Sequence, residues 1–187
     1  MDDDRELVLA LRARVPGAFE QLYARCREPV WRFLCRLVGP AAEDLFQETW
    51  LAAARHVHRL REETALLPWL FTIARNKHRN SLRGWVRQSR FARELREQRP
   101  ALSARPDEDA GARQLAARAR AAFARLPAAH REVLSLCVAE GLPAAQAAHV
   151  LSCSEDVVRK RLSRARRELA RLSGRDGSGK TSHEERR

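Results

Sequence analysis

At 187 residues the chain has room for one medium domain or two small ones. Its 36 Lys and Arg against 24 Asp and Glu give a net charge of +12 and a pI near 11.1, a balance that concentrates a protein on polyanions, nucleic acid first and a membrane surface second. No apolar run approaches the roughly eighteen residues of a spanning helix, and the acidic start Asp2-Asp3-Asp4 is the opposite of a secretory leader's basic one. Membrane insertion is therefore not expected, and a cytoplasmic setting is.

Apolar residues recur at helical spacing, with few β-branched residues and no alternating pattern, so the predicted fold class is all-α. The first block predicts helices over 4–15, 17–25, 29–38, 40–58 and 67–85, broken at Pro16-Gly17, Pro29, Gly39-Pro40 and Pro68. Those prolines suit first-turn positions, where a missing amide hydrogen costs nothing. The expected core of this block is Phe19, Leu22, Tyr23, Val30, Trp31, Phe33, Leu34, Leu37, Leu45, Trp50, Leu51, Trp69, Leu70, Ile73 and Leu82. Two of its segments stand out. Residues 42–50 predict an amphipathic helix whose acidic groups share a side, which in so basic a chain suits a basic protein partner. Residues 68–83 predict a helix with Arg75, Asn76, Arg79, Asn80 and Arg83 on a polar, basic side suited to a nucleic-acid backbone and unpaired base edges.

Residues 87–112, charged and punctuated by Pro100, Ser103, Pro106 and Gly111, cannot bury enough apolar area to offset ordering entropy. They read as a flexible linker between two small helical domains, 1–86 and 113–173, and the Gly/Ser-rich stretch 174–187 reads as a disordered tail. The second block predicts helices over 114–125, 128–140, 143–151 and 155–172. Its last two carry the strongest signal in the chain: a short alanine-rich helix, a turn, and a helix with one apolar and one basic face, the pattern of a helix-turn-helix that reads duplex DNA. Ser154 is placed to cap the second of these, and Glu155 and Asp156 suit the positive end of its dipole. Val158, Leu162, Ala165, Leu169 and Leu172 step along the inward side, while Asp156, Arg159, Lys160, Ser163, Arg164 and Arg167 share the outward one.

Other motifs lead nowhere. Residues 174–181, Gly-Arg-Asp-Gly-Ser-Gly-Lys-Thr, match a phosphate-binding loop letter for letter. A basic helix precedes them and six residues follow, so the strand and helix that such a site requires are missing and the match is read as accidental. Cys26, Cys35, Cys137 and Cys153 lack metal-ligand spacing, and the first three read as small core fillers. His56 and His58 point in different directions on a helix, so no metal site is expected. No catalytic constellation is evident either, and neither an enzymatic role nor a cofactor is predicted.

Together, Ala42-Glu43-Asp44-Leu45-Phe46-Gln47-Glu48, Trp69-Leu70-Phe71-Thr72-Ile73-Ala74-Arg75-Asn76, Arg125-Leu126-Pro127 with Arg131-Glu132-Val133-Leu134, and the basic helix with Val158, Arg161, Leu162, Ser163, Arg164, Ala165 and Arg166 resemble bacterial sigma factors of the extracytoplasmic-function (ECF) group. The four segments fall in the family's order: region 2.2, the entry to region 2.4, the entry to region 4, and region 4.2. The resemblance implies a protein that binds core RNA polymerase, directs it to promoters and helps open the DNA. It implies polymerase contacts, at the clamp, from Asp44, Gln47, Glu48 and Trp50, and −10 contacts from Arg75, Asn76, Arg79, Asn80 and Arg83 with the loop 59–65. It implies −35 reading by Arg159, Lys160, Ser163 and Arg164, with Arg161, Arg166 and Arg167 on phosphates, while Asp156 beside them either accepts from a cytosine amino group or merely repels phosphate. The polymerase flap and an anti-sigma factor are implied as further contacts.

The chain also departs from the family. Asn80 stands where an acidic residue is usual, Ser152 where the turn often has glycine, Asp156-Val157 where Gly-Thr commonly begins the recognition helix, and Gln146 where an acidic residue is usual. The promoter sequence therefore does not carry over from relatives. Two competing readings are a dimeric helix-turn-helix regulator acting without polymerase, and a scaffold or anti-regulatory protein on the same fold.

Overall fold

The computed structural model describes the backbone of residues 2–89 and 110–174 and the side chains of residues 3–82 and 114–174. Among these residues every regular element is helical: α1 (Asp2–Arg12), α2 (Ala18–Val38), α3 (Ala42–His56), α4 (Leu66–Ser89), α5 (Ala110–Arg125), α6 (Ala128–Leu134), α7 (Ala144–Leu151) and α8 (Glu155–Leu172). Short 3-10 turns occupy Gly39–Ala41 and Val57–Arg59, and α6 runs on into a π turn at Ser135–Ala139. Most of the predicted linker and nearly all of the predicted tail, with its phosphate-loop-like motif, lie outside the described residues.

The predicted break at Pro29 does not occur: α2 passes through it as one helix of 21 residues. A proline inside a helix forfeits a hydrogen bond and costs about 3 kcal/mol. The stripe Leu22, Cys26, Val30, Phe33, Leu34 and Leu37 runs buried along the helix on both sides of the proline, and burying one such large side chain contributes roughly 1.5–3 kcal/mol. Tertiary burial therefore outweighs the local penalty. The helix stops at Gly39, whose φ of 62° lies in the left-handed region that favours glycine. Pro68 does sit in the first turn of its helix, as expected. Here α1 contributes a long-range cap, the Asp4 carboxylate accepting from the Leu66 amide at 3.0 Å.

The α2 stripe packs on Leu45 and Ala53 of α3 and on Leu66, Leu70, Phe71 and Ala74 of α4. Tyr23, Trp31, Leu51 and Leu82, expected in the core, are exposed instead. Tyr23 and Trp31 lie on the flank of α2 and use ring edges, with Trp31 5.4 Å from Phe46 and Tyr23 4.7 Å from Trp50. In the second half Val133, Leu136, Ala147, Val150, Leu151, Val158 and Ala165 are buried together. The two cores are continuous, because α7 packs on α4, and α6 with its π turn packs on α2.

The helix-turn-helix closes as the sequence suggested, through a residue that bears strain. Ser152 has φ 53° and ψ 49°, a left-handed conformation that favours glycine. The turn holds it there by two backbone bonds, from Ser152 to the His149 carbonyl and from Cys153 to the Ala148 carbonyl, each 3.1 Å. Ser152→Gly is expected to raise stability by about 1 kcal/mol, read as a higher urea midpoint at unchanged slope.

Candidate nucleic-acid interface

Helix α8 begins as its sequence dictates. Ser154 is extended and its hydroxyl accepts from the Val157 amide at 3.4 Å, with Glu155 and Asp156 in the first turn. Val158 and Ala165 are fully buried, and Leu162, Leu169 and Leu172 pack partly buried against the core. That seating presents Asp156, Arg159, Lys160, Ser163, Arg164, Arg166 and Arg167 to solvent, with Arg161 half-buried at the edge. The acidic first turn organises the cations beside it: Arg159 bonds Glu155 at 2.5 Å and Lys160 pairs with Asp156 at 3.4 Å. Exposed pairs of this kind are weak and salt-screened, so they pre-position the cations without tying them up.

Helix α4 is divided differently from its prediction. Asn76, Arg79 and Asn80 are exposed, and the side chain of Arg83 lies outside the described residues. Arg75 is only 6% exposed. Its Nε donates to the Glu132 carboxylate at 3.0 Å and its Nη1 to the Val150 carbonyl at 3.1 Å. At roughly 100° per residue Arg75 falls at the edge of the polar arc, next to the arc of Phe71 and His78, where α6 and α7 reach it. His78 is buried in the same contact. Burial pushes its imidazole below the ordinary histidine value, with Glu132 opposing and Arg131 and Arg75 reinforcing the shift.

On α3, Asp44, Gln47 and Glu48 are exposed, and Glu48 pairs with Lys77 of α4 at 3.2 Å. Trp50 is not on that face. It is 7% exposed and packs edge-on against Phe19, Tyr23 and Phe46. Next to the buried Thr49, it falls on the inward arc, and its bulk completes the seam between α2 and α3. Burial raises the thiol values of Cys26, Cys35 and Cys137, which suits packing rather than reactivity. Among the described residues no cluster of His, Cys, Asp or Glu could hold a metal, and no helix is long and apolar enough to cross a membrane.

An acidic helix face in one half and a basic recognition helix in the other define a class: helical proteins that join a protein partner to DNA. The Sigma-70 region 2 family matches residues 22–88, and the Sigma-70 region 4 family matches residues 116–169. The chain is 34% identical over 159 residues to the RNA polymerase sigma factor CarQ of Myxococcus xanthus, covering 84% of this chain and 90% of that one. It is 33% identical over 153 residues to the ECF RNA polymerase sigma factor EcfG of Rhodopseudomonas palustris, covering 78% and 80%. Among solved structures it resembles the sigma factor RpoE in complex with the anti-sigma factor NepR from Bartonella quintana, with TM-score 0.75 and 26% identity over 86% of this chain and 99% of that one. CnrH in complex with the cytosolic domain of CnrY is also similar, with TM-score 0.68 and 27% identity over 93% and 99%. The chain belongs to the sigma-70 family, in its ECF group.

Proposed function

We propose that this sigma factor docks on core RNA polymerase through the exposed Asp44, Gln47 and Glu48 face of α3, and divides promoter recognition between α4 and α8. Asn76, Arg79 and Asn80, with Arg83, engage the displaced strand of the −10 element, where exposed amide and guanidinium groups suit unpaired base edges and phosphates. On α8, Asp156, Arg159, Lys160, Ser163 and Arg164 read the −35 duplex, and Arg161, Arg166 and Arg167 hold its phosphates. The observation that carries this reading is the capped helix-turn-helix whose second helix offers one uninterrupted polar, basic face. The RpoE relative is bound to the anti-sigma factor NepR and CnrH to the cytosolic domain of CnrY, and an anti-sigma factor is proposed as a regulator here too. In this role the chain is an initiation factor without catalysis of its own, working in the cytoplasm.

Reconstitution with core polymerase and runoff transcription tests the reading, because a dimeric repressor-type regulator would not be retained by the core enzyme. The double change Asp44→Arg with Gln47→Ala is expected to weaken core binding about tenfold or more, leaving helicity and duplex DNA binding as they were. Titration of labelled protein with core enzyme measures this, and unaltered affinity would remove α3 from the docking surface.

A further inference from the structure

The loop between the 3-10 turn after α3 and the start of α4, residues 60–65, is held by α1, a helix with no part in the contacts assigned above. Leu60 and Leu66 anchor its two ends in the core. Between them the backbone makes a turn, Thr64 donating to the Arg61 carbonyl at 3.1 Å. The residue before α4 is Ala65, whose methyl offers no oxygen to the orphan amides of the helix start. Asp4 of α1 supplies that oxygen from 62 residues away, accepting from the Leu66 amide at 3.0 Å. Its other carboxylate oxygen is bonded by Arg25 of α2. One side chain thus joins α1, α2 and the exit of the loop. It reaches inward because it continues the buried side of α1, where Asp4, Val8 and Leu11 step by four and three residues.

A second set of contacts acts on charge. Over residues 59–65 the chain carries Arg59 and Arg61 against Glu62 and Glu63, which cancel. That balance is poor for receiving a polyanionic strand. Arg5 and Arg12 of α1 close on Glu62 at 3.1 and 3.6 Å. Seven residues are nearly two turns, so both guanidinium groups stand on the side of α1 that faces the loop. With them the local surface counts four arginines against two glutamates. Each exposed pair is weak and salt-screened alone, so the effect lies in neutralising Glu62 and not in stabilising the fold.

We propose that α1 positions the loop that receives the −10 strand. Asp4 fixes where the loop ends and α4 begins, and Arg5 and Arg12 neutralise Glu62 so that the displaced strand can lie beside Asn76, Arg79 and Asn80. The proposal rests on the promoter reading above, in which α4 and the loop before it face the −10 element. None of the three α1 side chains touches DNA in this scheme. They hold the loop in the arrangement that stabilises the opened strand, so their loss falls on promoter opening and spares core docking and −35 reading.

The test uses the full chain as wild type, as Asp4→Ala, as Asp4→Asn, and as Arg5→Ala with Arg12→Ala, each reconstituted with core polymerase. Runoff is compared on a duplex promoter selected by the wild-type holoenzyme and on the same template premelted across −10. Asp4→Ala is expected to lower runoff from the duplex about tenfold, and from the premelted template less than about threefold, at unchanged core affinity. Asp4→Asn is expected to recover most of the loss, because an amide oxygen also accepts from the Leu66 amide. Amide hydrogen exchange over 60–67 is expected to speed up in Asp4→Ala and to return towards wild type in Asp4→Asn. The double arginine change is expected to lower duplex runoff, relative to wild type, about fivefold at low salt and little at high salt, where screening hides Glu62. It carries the test if Asp4→Ala misfolds, since both arginine side chains are exposed. Equal runoff from wild type and every variant would overturn the proposal, as would losses of equal size on the two templates. A wild-type chain that does not load on core enzyme would instead sink the polymerase reading, and the role given to α1 with it.

Discussion

Arg159→Ala combined with Lys160→Ala is expected to lower affinity for the cognate −35 duplex about 100-fold while leaving the fold intact. Each side chain that reads a base edge contributes roughly 1–3 kcal/mol of discrimination, so losing two spans about thirtyfold to about 25,000-fold. The fold is spared because neither residue packs. Their side chains are 63% and 72% exposed, and their partners Glu155 and Asp156 are on the same helix. The matched comparison is Arg166→Ala with Arg167→Ala, which is expected to weaken cognate and random duplexes alike and to reduce the steepness of the salt dependence by about two. Fluorescence anisotropy on a duplex selected by the reconstituted holoenzyme, against a scrambled duplex over a salt series, separates the two patterns. Equal losses on both duplexes for the first pair would reassign Arg159 and Lys160 to phosphate anchoring.

The largest effect on stability is expected from Phe71→Ala. Phe71 and Phe33 are both fully buried, with ring centroids 5.0 Å apart and planes tilted by 51°. Truncating such a ring leaves a cavity at the junction of α2 and α4, with a cost of about 3–5 kcal/mol. That is a large share of the roughly 5–15 kcal/mol by which domains are stable. The same residue lies one turn before Arg75, so the cavity also loosens the helix proposed to engage the −10 strand. Urea denaturation followed by far-UV circular dichroism checks the magnitude, with Leu51→Ala as the exposed comparison on α3, expected within about 0.5 kcal/mol of wild type. A loss below about 1 kcal/mol for Phe71→Ala would place the core of this half elsewhere.

Much of this was legible in the chain because it depends on near neighbours. The recognition helix is set by Ser154 at its start and by Val158, Leu162, Ala165 and Leu169 at helical spacing, and both signals span a few turns at most. The turn before it was harder to read. The hint of a left-handed residue at 152 came from the family, whose turn often has glycine there, and not from serine itself; the conformation is imposed by the carbonyls of α7 that need donors. Arg75 was expected on the exposed side, and Trp50 was read both as core and as a polymerase contact, for a related reason. Each sits on the border between a polar and an apolar arc, where periodicity does not say which side a neighbour will cover. Trp50 is covered by the ring edges of α2, and Arg75 by Glu132, 57 residues further on.

By itself, then, the sequence determined the all-α class, the order of the elements, the basic face of α8 and the acidic face of α3, together with the family these imply. Those follow from i to i+4 spacing, capping residues and net charge, which act within a helix. Only the tertiary structure decided that α2 runs through Pro29 and that Arg75 is spent on Glu132 and Val150. The same holds for Glu140, which meets Arg36 and Arg32 across 104 and 108 residues. Such contacts depend on which surfaces meet when two helical units pack, and no local pattern records that choice.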